Sequence, residues 1–454
     1  MSDEIRSKEE LLEYFRSGSK PREQWRVGTE YEKVVVDARS GRALPFSGPR
    51  GIEAILRGLA ERYGYEPEDE EGRIIALKGP ASSITLEPGG QIELSGEQCD
   101  NIHCAQREFS RHVAELLEVT RDMDAAILGL GMQPASKLNE IELLPKARYR
   151  IMFPYMARKG RLGQRMMKQT AGVQANLDYS DETDAMRKLR VSFGLTPLIY
   201  AIFGNSPLTD GDLNGYLTYR AHIWTDTDPD RCGVPPLVFN ESAGFEDYME
   251  YALDVPMYFL IRDHHYIDLT PPPGLTFRQY LDRGYQNQRA TIEDWGNHLT
   301  TIFTEVRLKK YIEIRSADSQ PPAMMLALPA LCKGILYDSD CLLGAWDLVK
   351  RWSYNERLKL ADLTSKIGLE APAGRFKVKD LAVELIQIAM AGLARQRALN
   401  ERAEDETIYL ARLFDQVRSG YNHANLVVAR WKGPWNYEMR RLVGGLSYEA
   451  EEMI

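Results

Sequence analysis

Five glutamates stand in short, otherwise apolar stretches where a strand pattern would normally exclude charge. Glu30 and Glu32 lie in Val27–Val36, Glu87 and Glu93 bracket a glycine pair between Leu86 and Leu94, and Glu313 lies in Tyr311–Arg315. Side chains on a strand alternate faces with period two, so Glu30 shares a face with Glu32, and Glu313 with Arg315. A carboxylate buried on a sheet without a positive partner is prohibitively costly, and too few Lys or Arg residues stand nearby to pair all five. Hard divalent cations with oxygen ligands are the natural complement.

Two further segments repeat the pattern. Val173–Asp178 puts Gln174, Asn176 and Asp178 on one face, and Val306–Arg315, read as one strand, puts Arg307, Lys309, Tyr311, Glu313 and Arg315 on one face. Each alone reads as an antiparallel strand with a wet face. Together they favour a site, because they combine Glu with Gln, Asn and Arg beside glycines. Such a face could hold two or three Mg²⁺ ions, with Arg315 reaching a phosphate. A nucleotide would have to bind through metal ions and arginines on a sheet. No GxxxxGK[ST] occurs, Gly129-Leu130-Gly131 does not continue into a dinucleotide fingerprint, and HExxH and GxSxG are absent.

Other chemistry-bearing residues read more blandly. Asp226, Asp228 and Asp230 imitate the start of a calcium loop, but Arg231 and Leu237 take its glycine and closing glutamate positions, which excludes calcium. If that segment is helical, Arg220 and Trp224 share a face suited to a substrate carboxylate. His264-His265 reads as a surface loop, His103 and His112 as structural, and Met166-Met167 as core packing. Cys332 and Cys341 read as buried free thiols.

The elements that must position these residues are interspersed helices and strands. Ser7-Lys8-Glu9-Glu10 predicts a capping box opening a helix over Glu9–Phe15. Helical spacing recurs over Ile52–Tyr63 and Asn101–Ala126, and Ser180-Asp181-Glu182 opens a helix running to about Phe203. From about Pro322 the patterns are almost wholly helical: Leu326–Leu336, Leu343–Trp352, Leu381–Ala398 with Asp380 as N-cap, Asp405–Val417 and Tyr437–Leu442. Without repeats or a long linker, the expectation is a single catalytic α+β domain over residues 1–454, with about 322–454 as its mainly helical portion. A net charge of −9 over 454 residues argues against nucleic-acid binding. The N-terminal stretch from Met1 lacks a leader pattern, and the longest apolar runs are about half a bilayer span. Five cysteines with no CxxC pair suit a reducing compartment. The expectation is a soluble cytoplasmic protein with no membrane partner.

Several stretches together resemble a known family. They are Gly28–Lys33, Leu86–Gly96, Pro145–Tyr149, Val173–Tyr179, Asn205–Pro207, His222–Arg231, Ser242–Tyr258, Asn297–Phe303 and Tyr311–Ala317. In that order, across about residues 25–435, they are similar to glutamate–cysteine ligases of the plant and proteobacterial type, a branch of the glutamine-synthetase-like carboxylate–amine ligases. The resemblance implies a mostly antiparallel, curved sheet forming a funnel-shaped site surrounded by helices. It implies Mg²⁺ ligands at Glu30, Glu32, Glu87, Glu93 and Glu313, with Gln174 where the enterobacterial branch carries a metal-binding histidine, and two or three ions that Mn²⁺ could replace. It puts Arg315, with Glu313, at the catalytic centre and on the ATP phosphates. Arg220 would hold the α-carboxylate of glutamate, with Trp224 kept as a substrate-binding candidate for the face it shares with Arg220, while Arg148 and Tyr149 would lie near the acceptor pocket. The positions of the regulatory disulfide of plant members fall at Gln106 and Leu326, so that switch should be absent.

The implied reaction joins the γ-carboxylate of L-glutamate to the amine of L-cysteine through γ-glutamyl phosphate, with ATP as co-substrate, in a monomer or homodimer. This would be the first step of glutathione biosynthesis. Three alternatives stand beside it: a ligase of this fold with another acceptor amine, a phosphotransferase that stops at the phosphorylated product, and a non-catalytic nucleotide- or metal-binding relative.

Overall fold

The computed structural model describes residues 4–449; Met1, Ser2 and Asp3 of the N-terminal stretch read above lie outside the described residues. Its centre is a nine-stranded sheet built from Val27–Asp37 (β1), Glu66–Glu70 (β2), Arg73–Lys78 (β3), Ser83–Leu86 (β4), Ile92–Ser95 (β5), Ala125–Leu128 (β6), Gly172–Leu177 (β7), Val306–Leu308 (β8) and Ile312–Asp318 (β9). The order is β8-β9-β7-β1-β5-β4-β3-β2, with β6 beside the second half of β1. Every neighbouring pair in it is antiparallel. The sheet stays open. One edge, β2, is a short exposed Glu-Pro-Glu-Asp-Glu strand, whose charges and proline discourage further pairing.

The α-helices before the last sheet strands are Lys8–Arg16 (α1), Ile52–Tyr63 (α2), Ile102–Thr120 (α3), Ala147–Lys159 (α4), Gly163–Gln169 (α5), Glu182–Phe203 (α6), Tyr219–Thr225 (α7), Phe245–Asp254 (α8), Phe277–Arg283 (α9) and Ile292–Leu299 (α10). Their ends follow local chemistry. Ser7 and Glu10 form the expected capping box. Asp181 caps α6 by accepting the Asp184 N–H, and Asn101 caps α3 by accepting the Cys104 N–H. After Pro322 come Ala327–Leu336, Ser339–Val349, Tyr354–Ile367, Val378–Gln396, Ile408–Arg418, His423–Lys432 and Met439–Leu446. Val173, Ala175, Leu177, Ile312 and Ile314 point away from the polar face into the main buried cluster, shared with Ala327–Leu336 and α6.

The structure corrects four sequence expectations. The helix predicted over Asn101–Ala126 stops at Thr120, because Asp124 adopts a left-handed backbone (φ 49°) and the chain leaves as β6. Asp380 is the third residue of its helix and accepts the N–H of Lys377, which is the N-cap. Tyr354–Ile367 and His423–Lys432 are helices that the periodicity did not single out. Val306–Arg315 is a hairpin, turning at Lys309–Tyr311. Arg307 stands directly opposite Glu313, and directly opposed residues share a face, so the two remain together. Among the described residues, no helix is long and apolar enough to cross a membrane.

Candidate active site

The register brings the acidic residues together. Glu32 on β1 pairs directly with Glu93 on β5, Glu30 pairs with Gln174 on β7, and Glu313 on β9 pairs with Asn176. Glu87 sits just beyond β4, at the head of the turn Glu87-Pro88-Gly89-Gly90 that returns the chain into β5. Gly90 needs its positive φ of 86°, and a side chain on Gly89 would collide with the Lys168 carbonyl. Glu30, Glu32, Glu87 and Glu93 line one cleft with Arg148, Gln174, Arg220, Trp224, Arg307 and Arg315. Glu313, fully buried behind it, touches three of the site's cations.

The carboxylates fall into two electrostatic groups. Glu313 stands 2.5 Å from Arg307 Nε, 3.3 Å from Lys309 Nζ and 3.2 Å from Arg315 Nη1. Burial works to raise its pKa, but those cations outweigh it and hold the carboxyl far below the usual range. The other four have no cation within ion-pair distance among the described residues. Glu32 accepts from the Gly172 N–H (2.6 Å) and Gln174 Nε2 (3.2 Å), Glu30 from Asn176 Nδ2 (3.0 Å), and Glu93 from Ser95 Oγ (2.6 Å). Burial first, and then Glu32, push Glu87 up to about 7. Burial also raises Glu30, Glu32 and Glu93, with neighbouring carboxylates adding to it. Such mutual repulsion in a buried cluster is what a bound cation would relieve. The donor set therefore fits a hard divalent ion. Gln174 bridges the two groups, accepting from Arg315 (2.7 Å) while donating to Glu32.

Opposite stand groups suited to anions. α7 is helical, so Arg220 and Trp224 do share a face, and both line the cleft. Arg220 is 3 % exposed; its Nη2 donates to the Arg315 carbonyl (3.0 Å), while its Nε has no partner. Gly172 is the bed for this guanidinium, since an added Cβ would lie 2.7 Å from Nη2. Arg148, at the start of α4, likewise has a buried Nε without a partner. Tyr149 is a wall of the cleft, its hydroxyl donating to the Leu86 carbonyl (2.9 Å). A buried N–H left without an acceptor is uncommon and costly, and two of them on one cleft suit a substrate carboxylate or phosphate.

Other residues come out differently. Met166 and Met167 are buried as expected, yet they also line the cleft. Thr300 and Phe303 were missed as cleft residues, although they lie in the Asn297–Phe303 stretch, because nothing in an apolar-threonine run signals chemistry. Asp226, Asp228 and Asp230 pair with Arg161, Arg231 and Lys159. His264 lies in an exposed hairpin turn with Asp263, and the exposed His265 opens the returning strand. Cys332 and Cys341 are free and buried, but Cys99 and Cys104 form a disulfide, which corrects the reading of five unpaired thiols. That bond joins Cys99, four residues past the end of β5, to Cys104 in the first turn of α3, a longer spacing than CxxC.

Comparison with known proteins gives this geometry a family. The pattern defining glutamate-cysteine ligase family 2 matches residues 26–445. The chloroplastic glutamate–cysteine ligase of Medicago truncatula is 40 % identical over 445 residues, covering 97 % of this chain and 85 % of its own. The chloroplastic glutamate–cysteine ligase B of Oryza sativa subsp. japonica is 42 % identical over 432 residues, covering 94 % and 85 %. The names of these relatives run against the cytoplasmic expectation, and that placement is withdrawn. Among solved structures, a glutamate–cysteine ligase from Francisella tularensis in complex with AMP shares the fold at a TM-score of 0.53 and 14 % identity, covering 94 % of this chain and 91 % of that one. The fold is thus glutamine-synthetase-like: an open, mostly antiparallel sheet walled by helices. With a family pattern spanning nearly the whole chain and relatives at about two-fifths identity, this chain belongs to glutamate-cysteine ligase family 2.

Proposed function

We propose that the polar face of the sheet is the catalytic centre of an ATP-dependent ligase that joins the γ-carboxylate of L-glutamate to the amine of L-cysteine, giving γ-glutamylcysteine. Family membership supports the reaction. The observation that carries the residue roles is the cluster of four carboxylates with no cation of their own, facing arginines whose buried N–H groups have no acceptor. We read the chain as one catalytic domain with the described residues from about 322 onward as its mainly helical portion, which the buried cluster running from Ile5 to Tyr448 supports.

Glu30, Glu32, Glu87 and Glu93 would hold the Mg²⁺ ions, with Gln174 offering a remaining oxygen lone pair and Glu313 completing the set from its ion-paired position. Bound there, such ions would supply neutralising charge for the ATP phosphates. Arg315 lies against the phosphoryl group in motion, held by Glu313 and Gln174. Arg220 grips the α-carboxylate of glutamate, Trp224 packs beside it, and Arg148 and Tyr149 border the approach of the acceptor. The γ-carboxylate oxygen attacks the γ-phosphorus, ADP leaves, and an acyl phosphate remains. The cysteine amine then attacks the acyl carbon, phosphate leaves, and the nitrogen loses a proton. A carboxylate is a poor acylating agent, so phosphorylation is the activating step, and enclosure by Met166, Met167 and Phe303 keeps water from the intermediate.

ADP release measured with glutamate and a panel of amines tests this reading. Release that depends on cysteine supports it. Amine-independent release would make the protein a kinase or hydrolase, and release with another amine would change the acceptor.

A further inference from the structure

We propose that Asp318, at the end of β9, is the positioning residue that aims Arg220 at the substrate carboxylate; this rests on the reading of Arg220 given above. Asp318 is 1 % exposed and lies outside the cleft lining, so it touches neither substrate nor metal. One oxygen, Oδ2, accepts from the Asn205 N–H (2.7 Å) and from Ser206 Oγ (2.7 Å). The other, Oδ1, accepts from Thr218 Oγ1 (3.0 Å). Two of these three donors hold α7 directly. Thr218 is its N-cap, accepting the Ala221 N–H, and Ser206 Oγ accepts the Arg220 N–H at 3.1 Å. A single carboxylate therefore pins the start of a seven-residue helix, which is too short to hold its own direction, to the sheet.

The strand register closes the loop. Asp318 pairs with Gly172, the residue whose missing side chain leaves room for the Arg220 guanidinium. The backbone of Arg220 is thus fixed through Ser206, and its head group is seated on Asp318's own strand partner. A charged acceptor on three donors is stronger and stiffer than a neutral one, so the position calls for an aspartate rather than an asparagine. Asparagine would keep the volume, lose the charge, and turn an NH₂ toward one of the donors.

The test is steady-state kinetics on Asp318→Asn with each substrate varied separately, alongside thermal unfolding. The KM for glutamate should rise about tenfold while that for ATP stays within about twofold, the signature of a misplaced substrate contact. Combined with Arg220→Lys, the effects should be strongly non-additive, because one residue works through the other. If Asp318→Asn folds poorly, Thr218→Val removes a single bond and should raise the glutamate KM about threefold in the same direction, since an uncharged partner is worth less. An unchanged glutamate KM in a folded variant, or both KM values rising together, overturns the proposal. If Arg220→Lys raises the glutamate KM and Asp318→Asn does not, only the positioning role fails. If neither moves it, the placement of glutamate on Arg220 fails as well.

Discussion

Glu313 and the quartet of Glu30, Glu32, Glu87 and Glu93 occupy the same sheet, yet the fold treats their charges in opposite ways. Glu313 is surrounded by Arg307, Lys309 and Arg315, and its charge is settled by the protein alone. The quartet receives only neutral hydrogen bonds and raises the pKa of its own members. The difference separates charge that the protein neutralises itself from charge left for a bound cation. A paired carboxylate stiffens the site and orients Arg315. An unpaired cluster stores an unfavourable energy that binding a cation releases. Activity should therefore depend on both groups, whereas stability should depend on them with opposite sign.

The largest expected effect separates them directly. Glu93→Gln or Glu30→Gln should lower turnover by about 100-fold or more, as for loss of electrostatic stabilisation at a transition state, while leaving the metal-free protein as stable as before or more so. Glu313→Gln should lower turnover and also cost about 3 kcal/mol of stability, because the buried Arg307 and the partly buried Lys309 and Arg315 lose their counter-charge. Activity assays paired with denaturant unfolding in EDTA check this; equal stability losses in both classes would erase the distinction. Next in size, Arg220→Lys should weaken glutamate by roughly 1.5–3 kcal/mol, the scale for hydrogen bonds to a charged group, and spare ATP, because lysine keeps the charge but not the planar fork. Separate KM determinations decide it, and a fall in ATP affinity alone would move Arg220 to the nucleotide site.

A third prediction follows from the raised carboxyls. Between the ordinary carboxylate value of 4.5 and about 7, the folded metal-free protein holds protons on Glu30, Glu32 and Glu87 that the unfolded chain has released, and Glu93 is raised in the same direction. Its stability from these groups therefore falls as pH rises through that window. Glu313 has the opposite sign, contributing fully above the carboxylate range and losing its effect only in acid. His298 and His423, both lowered to about 4 by burial, also work against the quartet's trend, but they cancel when unfolding is compared with and without Mg²⁺. The stabilisation by Mg²⁺ should be small at pH 5.5 and grow to a plateau by about pH 8. A pH-independent Mg²⁺ effect would contradict it. The smallest effect on turnover is expected from the disulfide. Reducing Cys99–Cys104 should cost about 2 kcal/mol of stability, as loop closure over so short a segment predicts, with little change in turnover. Several-fold activation or inhibition on reduction would show that the bond acts on β1, whose first residue, Val27, pairs with Cys99.

The carboxylate face was legible in the sequence because period two is a local rule: Glu30, Glu32 and Gln174 project where the alternation puts them. The split within it was not. Glu313 gains Arg307 as its partner only through the β8–β9 hairpin, and reading Val306–Arg315 as one strand hid the cross-strand pairing. The N-capped helices α1 and α6 were legible from their caps. The end of α3 was not, because the left-handed turn at Asp124 lies within a stretch whose apolar spacing suits either a helix or a strand. Asp318 was not legible in the sequence either. Its partners Asn205, Ser206 and Thr218 lie more than a hundred positions away or nearly so, and only the folded sheet gathers them.

The measurement that bears most directly on the central claim is equilibrium binding of Mn²⁺, followed by its paramagnetic signal, to the wild-type protein and to Glu32→Gln, Glu93→Gln and Arg307→Met. The quartet, with its unneutralised charge, predicts two or three ions per chain at pH 8, weakened by about tenfold or more when Glu32 or Glu93 is neutralised and strengthened or unchanged when Arg307 is removed. Binding that ignores Glu32 and Glu93, or that collapses only when the Arg307–Glu313 pair is broken, would contradict the account.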